Sequence, residues 1–185
     1  MKKEFKGKAG RWFVVGGLLL LISIASVGYL QAFDLTAAEK DWLTYMREEE
    51  KLARDVYLFL YDKWQLPIFA NISKSEQTHM DAIKTLLLRY GIPDPAEGNL
   101  RGVFTNPDLQ NLYDDLVAQG SVSPAEALKV GEFIEETDIA DLNAATASTS
   151  RKDIKTVYGN LLQGSLNHLK AFVANLASYG ITYQP

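Results

Sequence analysis

Six residues carry most of the chemistry that this sequence offers: Glu50, Glu76, His79, Glu132, Glu135 and His168. Carboxylate oxygens and imidazole nitrogens together hold divalent transition metals such as iron or manganese, whereas an all-oxygen cage would suit magnesium or calcium. The chain has two histidines and no cysteine. That excludes disulfides, thiolate zinc sites, cysteine-bound iron–sulfur centres and a cysteine nucleophile at once. Glu76 and His79 are three residues apart, and residues so spaced project from one face of a helix. The pair can therefore present an oxygen and a nitrogen to a single centre.

The elements that must position these residues are legible from helix punctuation. Thr36-Ala37-Ala38-Glu39 reads as a capping box opening a helix that runs to about Trp64, where Leu66-Pro67 stops it. A second helix ends at Tyr90 before Gly91 and Pro93. A third begins at Ser123-Pro124-Ala125-Glu126, and a fourth runs from Ser150, with Asp153 as box partner, to Tyr179 before Gly180. The long link between the second and third holds a short helix capped at Asn106-Pro107 and closed by Gly120. A link of that length lets the second and third helices lie parallel, the topology of a bundle with one crossover.

A 4,3,4,3 spacing places a buried seam on each long helix. The seams read Met46, Glu50, Ala53, Tyr57, Leu60, Trp64; then Ile72, Glu76, His79, Ile83, Leu86, Tyr90; then Leu128, Glu132, Glu135, Ile139, Leu142; then Tyr158, Leu161, Ser165, His168, Phe172. Each is interrupted near its middle by polar residues that can share one level of the bundle. Four ionised carboxylates facing one another in a dry core would overwhelm a stability of about 5–15 kcal/mol. Two divalent cations would neutralise Glu50, Glu76, Glu132 and Glu135, with His79 and His168 as neutral ligands.

Each assignment has a plainer rival. Glu50 lies in the charged run Arg47-Glu48-Glu49-Glu50-Lys51, which ordinarily marks a solvated face; its seam position distinguishes it from Glu48 and Glu49. Glu76 could instead close a capping box with Ser73. Glu136 competes with Glu132 and Glu135. Asp138 reads either as an acid orienting a histidine from behind or as a surface acid. Tyr57 and Tyr158 read first as packing residues and second as hydrogen-bond partners of the site, and Ser165 beside Gly164 as room for water or an oxygen ligand.

These residues resemble the ferritin-like superfamily, whose di-iron bundles use a Glu from each of two helices and a Glu-x-x-His from each of the other two. The rubrerythrin branch is the most similar in character. Its E-x-x-A-x-x-x-Y run matches Glu50, Ala53 and Tyr57; its E-x-x-H matches Glu76 and His79; its G-E-x-x-E matches Gly131, Glu132 and Glu135. The chain further resembles a set of prokaryotic ferritin-like domains catalogued as a domain of unknown function, over roughly residues 36–180. The resemblance implies an all-α, ferritin-like four-helix bundle holding two iron ions, or manganese, that reacts with dioxygen or peroxide or oxidises ferrous iron. Two departures stand out. Ser165-Leu166-Asn167-His168 lacks the carboxylate of the superfamily's second E-x-x-H, and without cysteine the electrons must come from an external donor or from the substrate.

Around this core, composition limits the partners. The chain has 185 residues with 19 basic and 23 acidic groups, and five of the basic ones, Lys2, Lys3, Lys6, Lys8 and Arg11, precede Trp12. The remainder is acidic, which argues against a nucleic-acid surface. Trp12–Leu30 carries no charge and is long enough to cross a hydrocarbon core of about 30 Å. Its basic flank should stay in the cytoplasm, leaving the bundle outside. An uncleaved anchor fits this long apolar run better than a cleaved signal peptide does. The expected organisation is a basic segment and transmembrane helix over residues 1–32 and the bundle over residues 33–185. A tether argues against a closed cage, and a homodimer is compatible with the sequence. The rival functions are a metal-binding or sensing module without turnover and a metal-free helical scaffold at the membrane.

Overall fold

The computed structural model describes residues 34–182. Among them are five α-helices and no strand: α1 (Ala37–Trp64), α2 (Pro67–Tyr90), α3 (Pro107–Gly120), α4 (Pro124–Ala147) and α5 (Lys152–Ser178). The segment Trp12–Leu30 lies outside the described residues. No helix among the described residues is long and apolar enough to cross a membrane.

Local chemistry sets most of the boundaries. Thr36 Oγ1 accepts from the Glu39 amide at 3.1 Å while Glu39 Oε2 accepts from the Thr36 amide at 2.8 Å, so two free donors at the start of α1 are satisfied reciprocally. Gly91 closes α2 in the left-handed region, at φ 66°, where a side chain would be strained. Asn106 and Ser123 cap α3 and α4, and each is followed by a first-turn proline. The start of α5 differs from the expectation. Ser150 does not cap it; the helix begins at Lys152, because the preceding residues answer to distant partners. Thr149 donates to Glu39 and accepts from the Arg151 amide, while Asp153 takes Arg89 at 2.8 Å and Tyr90 at 2.7 Å.

Cross-helix contacts define the directions. Along α1 and α2, Glu50 meets His79 and Tyr57 stacks on Phe69, so these helices are antiparallel. Along α4 and α5, Asp138 meets Ser165 and Gly131 abuts Phe172, again antiparallel. Tyr57 reaches Glu135 across from α1 to α4, and Phe69 and His79 meet Phe172 and His168 from α2 to α5. It follows that α2 and α4 point the same way, and residues 91–123, with α3, carry the chain back along the bundle.

The core is divided by a polar layer. On one side lie Tyr57, Leu60, Phe69, Leu128 and Phe172, and on the other Leu43, Met46, Ile83, Leu86, Leu142 and Leu161. The charged run of α1 is buried throughout, contrary to the usual behaviour of such a run. Arg47 forms a two-pronged bond with Asp94 at 3.0 Å on each arm, and Glu48 accepts the amides of Thr105 and Asn106 at 2.6 and 3.0 Å. Lys51 reaches Asp55 at 2.5 Å and the Leu100 carbonyl at 2.9 Å. The crossover segment thus covers the outer face of α1, and the charges of α1 hold it there.

Candidate metal centre

Five of the six expected ligands converge in the polar layer. His79 Nδ1 lies 3.1 Å from Glu50 Oε2 and 2.8 Å from Glu76 Oε2; His168 Nδ1 lies 2.9 Å from Glu76 Oε1 and 3.4 Å from Glu135 Oε2. Two sets of donors result, Glu50 with Glu76 and His79, and Glu76 with Glu135 and His168; within each, the donor atoms lie within 4.8 Å of one another. Glu76 belongs to both sets, one oxygen turned to each histidine. The two imidazoles are stacked, with centroids 5.6 Å apart.

Neighbouring groups hold the donors in place. Tyr57 Oη donates to Glu135 Oε1 at 2.6 Å, so this tyrosine does more than pack. His168 Nε2 is 3.0 Å from Ser75 Oγ, which leaves Nδ1 facing the carboxylates. Gly164 is required by close approach, since a Cβ there would sit 2.6 Å from His79 Nε2. Glu76 lies well inside α2, which begins at Pro67, and Ser73 bonds to the Ala70 carbonyl; the local capping-box reading of Glu76 is therefore ruled out.

The electrostatics are those of a crowded acid–base cluster in a dry layer. Burial opposes the charge on Glu76, but His168 and His79 outweigh it and hold the carboxyl down at about 2. Burial likewise opposes charge on the imidazoles, yet Glu50 and Glu76 raise His79 to about 11, and Glu135 and Glu76 raise His168 to about 10. Burial prevails at Glu50 and Glu135, both raised to about 7. Protons therefore compete for the positions that a metal would take.

The donor atoms fit metal better than they fit one another. Glu76 Oε1 and His168 Nδ1 are only 2.9 Å apart but are not aligned to hydrogen-bond, and neither makes any other hydrogen bond. Glu50 Oε1 is buried without a partner as well. Buried polar atoms are normally paired; one cation in each donor set would satisfy all three. The mixed oxygen and nitrogen donor set suits iron or manganese.

Glu132 is not brought to the centre. It is half-buried on the outer side of α4, near Glu136 and Lys129, and Ile139 is half-buried too. The buried seam of α4 runs instead through Leu128, Gly131, Glu135, Asp138, Leu142 and Ala145. The expected register passed over Gly131 because glycine contributes no apolar side chain, yet its bare backbone is what admits the Phe172 ring. Setting the seam through Gly131 brings in Asp138, which the sequence left either behind a histidine or at the surface. Its partner is Ser165 Oγ, which donates to Oδ2 at 2.5 Å. Glu49 was also missed. It is 5% exposed, with Asp138, Asp141 and Glu50 as its nearest acids, and burial and these acids raise its carboxyl well above the usual range. Glu49 and Asp138 line a narrow cavity that reaches Glu50, Glu76 and Glu135 from the side of Phe133 and encloses about 10 Å³ of space, room for one water.

Known proteins resemble this chain over the same region. A protein from Methanocaldococcus jannaschii described as uncharacterized protein MJ0754 is 56% identical over 151 residues, covering 82% of each chain. The crystal structure of that hypothetical protein matches with a TM-score of 0.81 at 55% identity, covering 82% of this chain and 87% of the other. The family model described as uncharacterized protein domain DUF2202 matches residues 39–185, which takes in every residue of both donor sets. By these matches the chain belongs to the DUF2202 family.

Proposed function

We propose that this protein is a ferritin-like di-metal carboxylate protein, with iron as the resident metal and manganese as the alternative, acting as an oxidoreductase on dioxygen or peroxide or in oxidising ferrous iron. The observation that carries the reading is the pair of donor sets sharing Glu76 in a buried layer. The helix directions and the single long crossover support it, because they are those of the ferritin-like bundle. When bound, an iron pair supplies electrons to the O–O bond of the oxidant. The chain's own residues do the rest. Glu50, Glu76 and His79 would hold one metal position, and Glu76, Glu135 and His168 the other. Tyr57 fixes Glu135, Ser75 fixes His168, and the rings of Tyr57, Phe69 and Phe172 keep water from one side of the layer. The chain has no cysteine, so reducing equivalents come from an external donor or from ferrous substrate. Trp12–Leu30 would tether the bundle on the outer side of the membrane.

One observation favours a second reading, a metal-holding or sensing module without turnover: the cavity beside the centre has room for a single water. Anaerobic loading of the full chain with ferrous iron, elemental analysis, and then exposure to air or peroxide separates the two. Two ions per chain, oxidant consumption and a new near-ultraviolet oxo-ferric absorption support the oxidoreductase. Bound metal with neither change supports the module. Well under one ion per chain contradicts both and leaves a hydrated helical scaffold.

A further inference from the structure

We propose that Asp138 is a metal ligand, supplying from α4 the carboxylate that completes the Glu50–Glu76–His79 position. The inference rests on the di-metal reading and extends it to a residue outside both donor sets. Asp138 is one turn beyond Glu135 on the inward face of α4 and is 6% exposed. Ser165 Oγ holds Oδ2 at 2.5 Å, while Oδ1 is buried with no hydrogen-bond partner. Glu50, then Glu135 and Glu76, act on its charge, and Asp138 is in turn the acid that acts most on Glu49. A buried carboxylate held by one hydroxyl and faced by four acids is costly unless a cation joins it.

Register points the same way. Glu50 meets His79 and Asp138 meets Ser165, while a Cβ on Gly164 would touch His79. Glu50, His79, Asp138 and Ser165 therefore share one level of the bundle, and Glu76, Glu135 and His168 share the next. At the first level α5 contributes only a hydroxyl, and the carboxylate of α4 lies over it. Charge closes with one further carboxylate beside the three. Glu50, Glu76 and Glu135 carry three negative charges against four positive on two divalent ions, and Asp138 brings the sum to zero with both imidazoles neutral. A positioning role is poorly served by this geometry, because its hydroxyl partner Ser165 bonds otherwise to the Leu161 carbonyl and to none of the ligands.

The test is titration of the full chain with Mn(II) without oxygen, read as ions bound and as melting temperature with and without metal. Asp138→Asn keeps the shape and the bond to Ser165 but removes the charge. We expect the metal-free variant to melt no lower than the natural chain, with binding at one of two positions weakened by well over a hundredfold, beyond the roughly ten- to hundredfold loss that removing an outer partner causes. Moving the carboxylate to the facing helix, as Asp138→Ala with Ser165→Asp, should restore the second ion, which a merely positioning Asp138 would not allow. An unchanged two-site isotherm in Asp138→Asn overturns the proposal and leaves the di-metal reading standing, as does a lower metal-free melting temperature with full binding. If the natural chain binds no Mn(II), the reading falls and the proposal with it. Should the double variant fail to fold, the Asn isotherm decides.

Discussion

Glu76 is the residue on which the centre turns, because its two oxygens face two different histidines. Glu76→Ala should abolish uptake at both positions, and Glu50→Gln at one, measured as ions per chain. The same residues set a pH dependence. His79 at about 11 and His168 at about 10 stand above the ordinary 6.5, and Glu50 and Glu135 at about 7 stand above 4.5. The folded chain therefore binds more protons than the unfolded one across this window, and metal-free stability falls as pH rises, first through 4.5–7 and then toward 11. Glu76, depressed to about 2, adds stability that is lost only as pH falls below 4.5. In chelator, the melting temperature should decline from pH 5 through 7 to 9. With saturating Mn(II) it should rise from pH 5 to 7, because metal displaces the protons; a decline in both conditions would contradict the ligand assignment. Glu50, Glu76, His79, Glu135 and His168 were legible because each breaks an apolar seam. The place of Asp138 on the buried seam was not, because that seam passes through Gly131, whose contribution is the absence of a side chain.

At the scale of the element, the burial of α1 explains why its charged run is compatible with a core helix. Glu48 caps the amides of Thr105 and Asn106 and takes no part in the metal layer. Glu48→Ala should leave those amides short of an acceptor and lower unfolding free energy by about 1–3 kcal/mol, with metal stoichiometry unchanged. Equal loss of metal in Glu48→Ala and Glu76→Ala would break the assignment of faces on α1. On α5, Gly164→Ala should push His79 off its position and weaken metal binding while helicity by circular dichroism stays the same. Helix starts at Thr36, Asn106 and Ser123 were readable because their capping bonds are local. The start of α5 was not, since Thr149 and Asp153 bond to residues far away in sequence, a preference that no local pattern encodes.

The whole bundle is two apolar halves joined across a polar layer. Its four long helices and long crossover could be read from the chain, because caps, seams and link lengths are all local or periodic. What covers α1 could not, since it depends on residues 91–106 folding back over it. Metal should act as a staple between the halves. At about a hundred times its dissociation constant a ligand adds about 2.7 kcal/mol, and in a domain of this size each kcal/mol moves the melting temperature by about 2–4 °C. Loading should therefore raise it by at least about 5 °C in the natural chain, and by much less in Glu76→Ala. The most direct check is anomalous diffraction from crystals of the full chain loaded with iron. The account predicts two peaks flanking the Glu76 carboxylate, one beside His79 and one beside His168. An iron-soaked crystal with no peak in that layer, and His79 still bonded to Glu50, would contradict it.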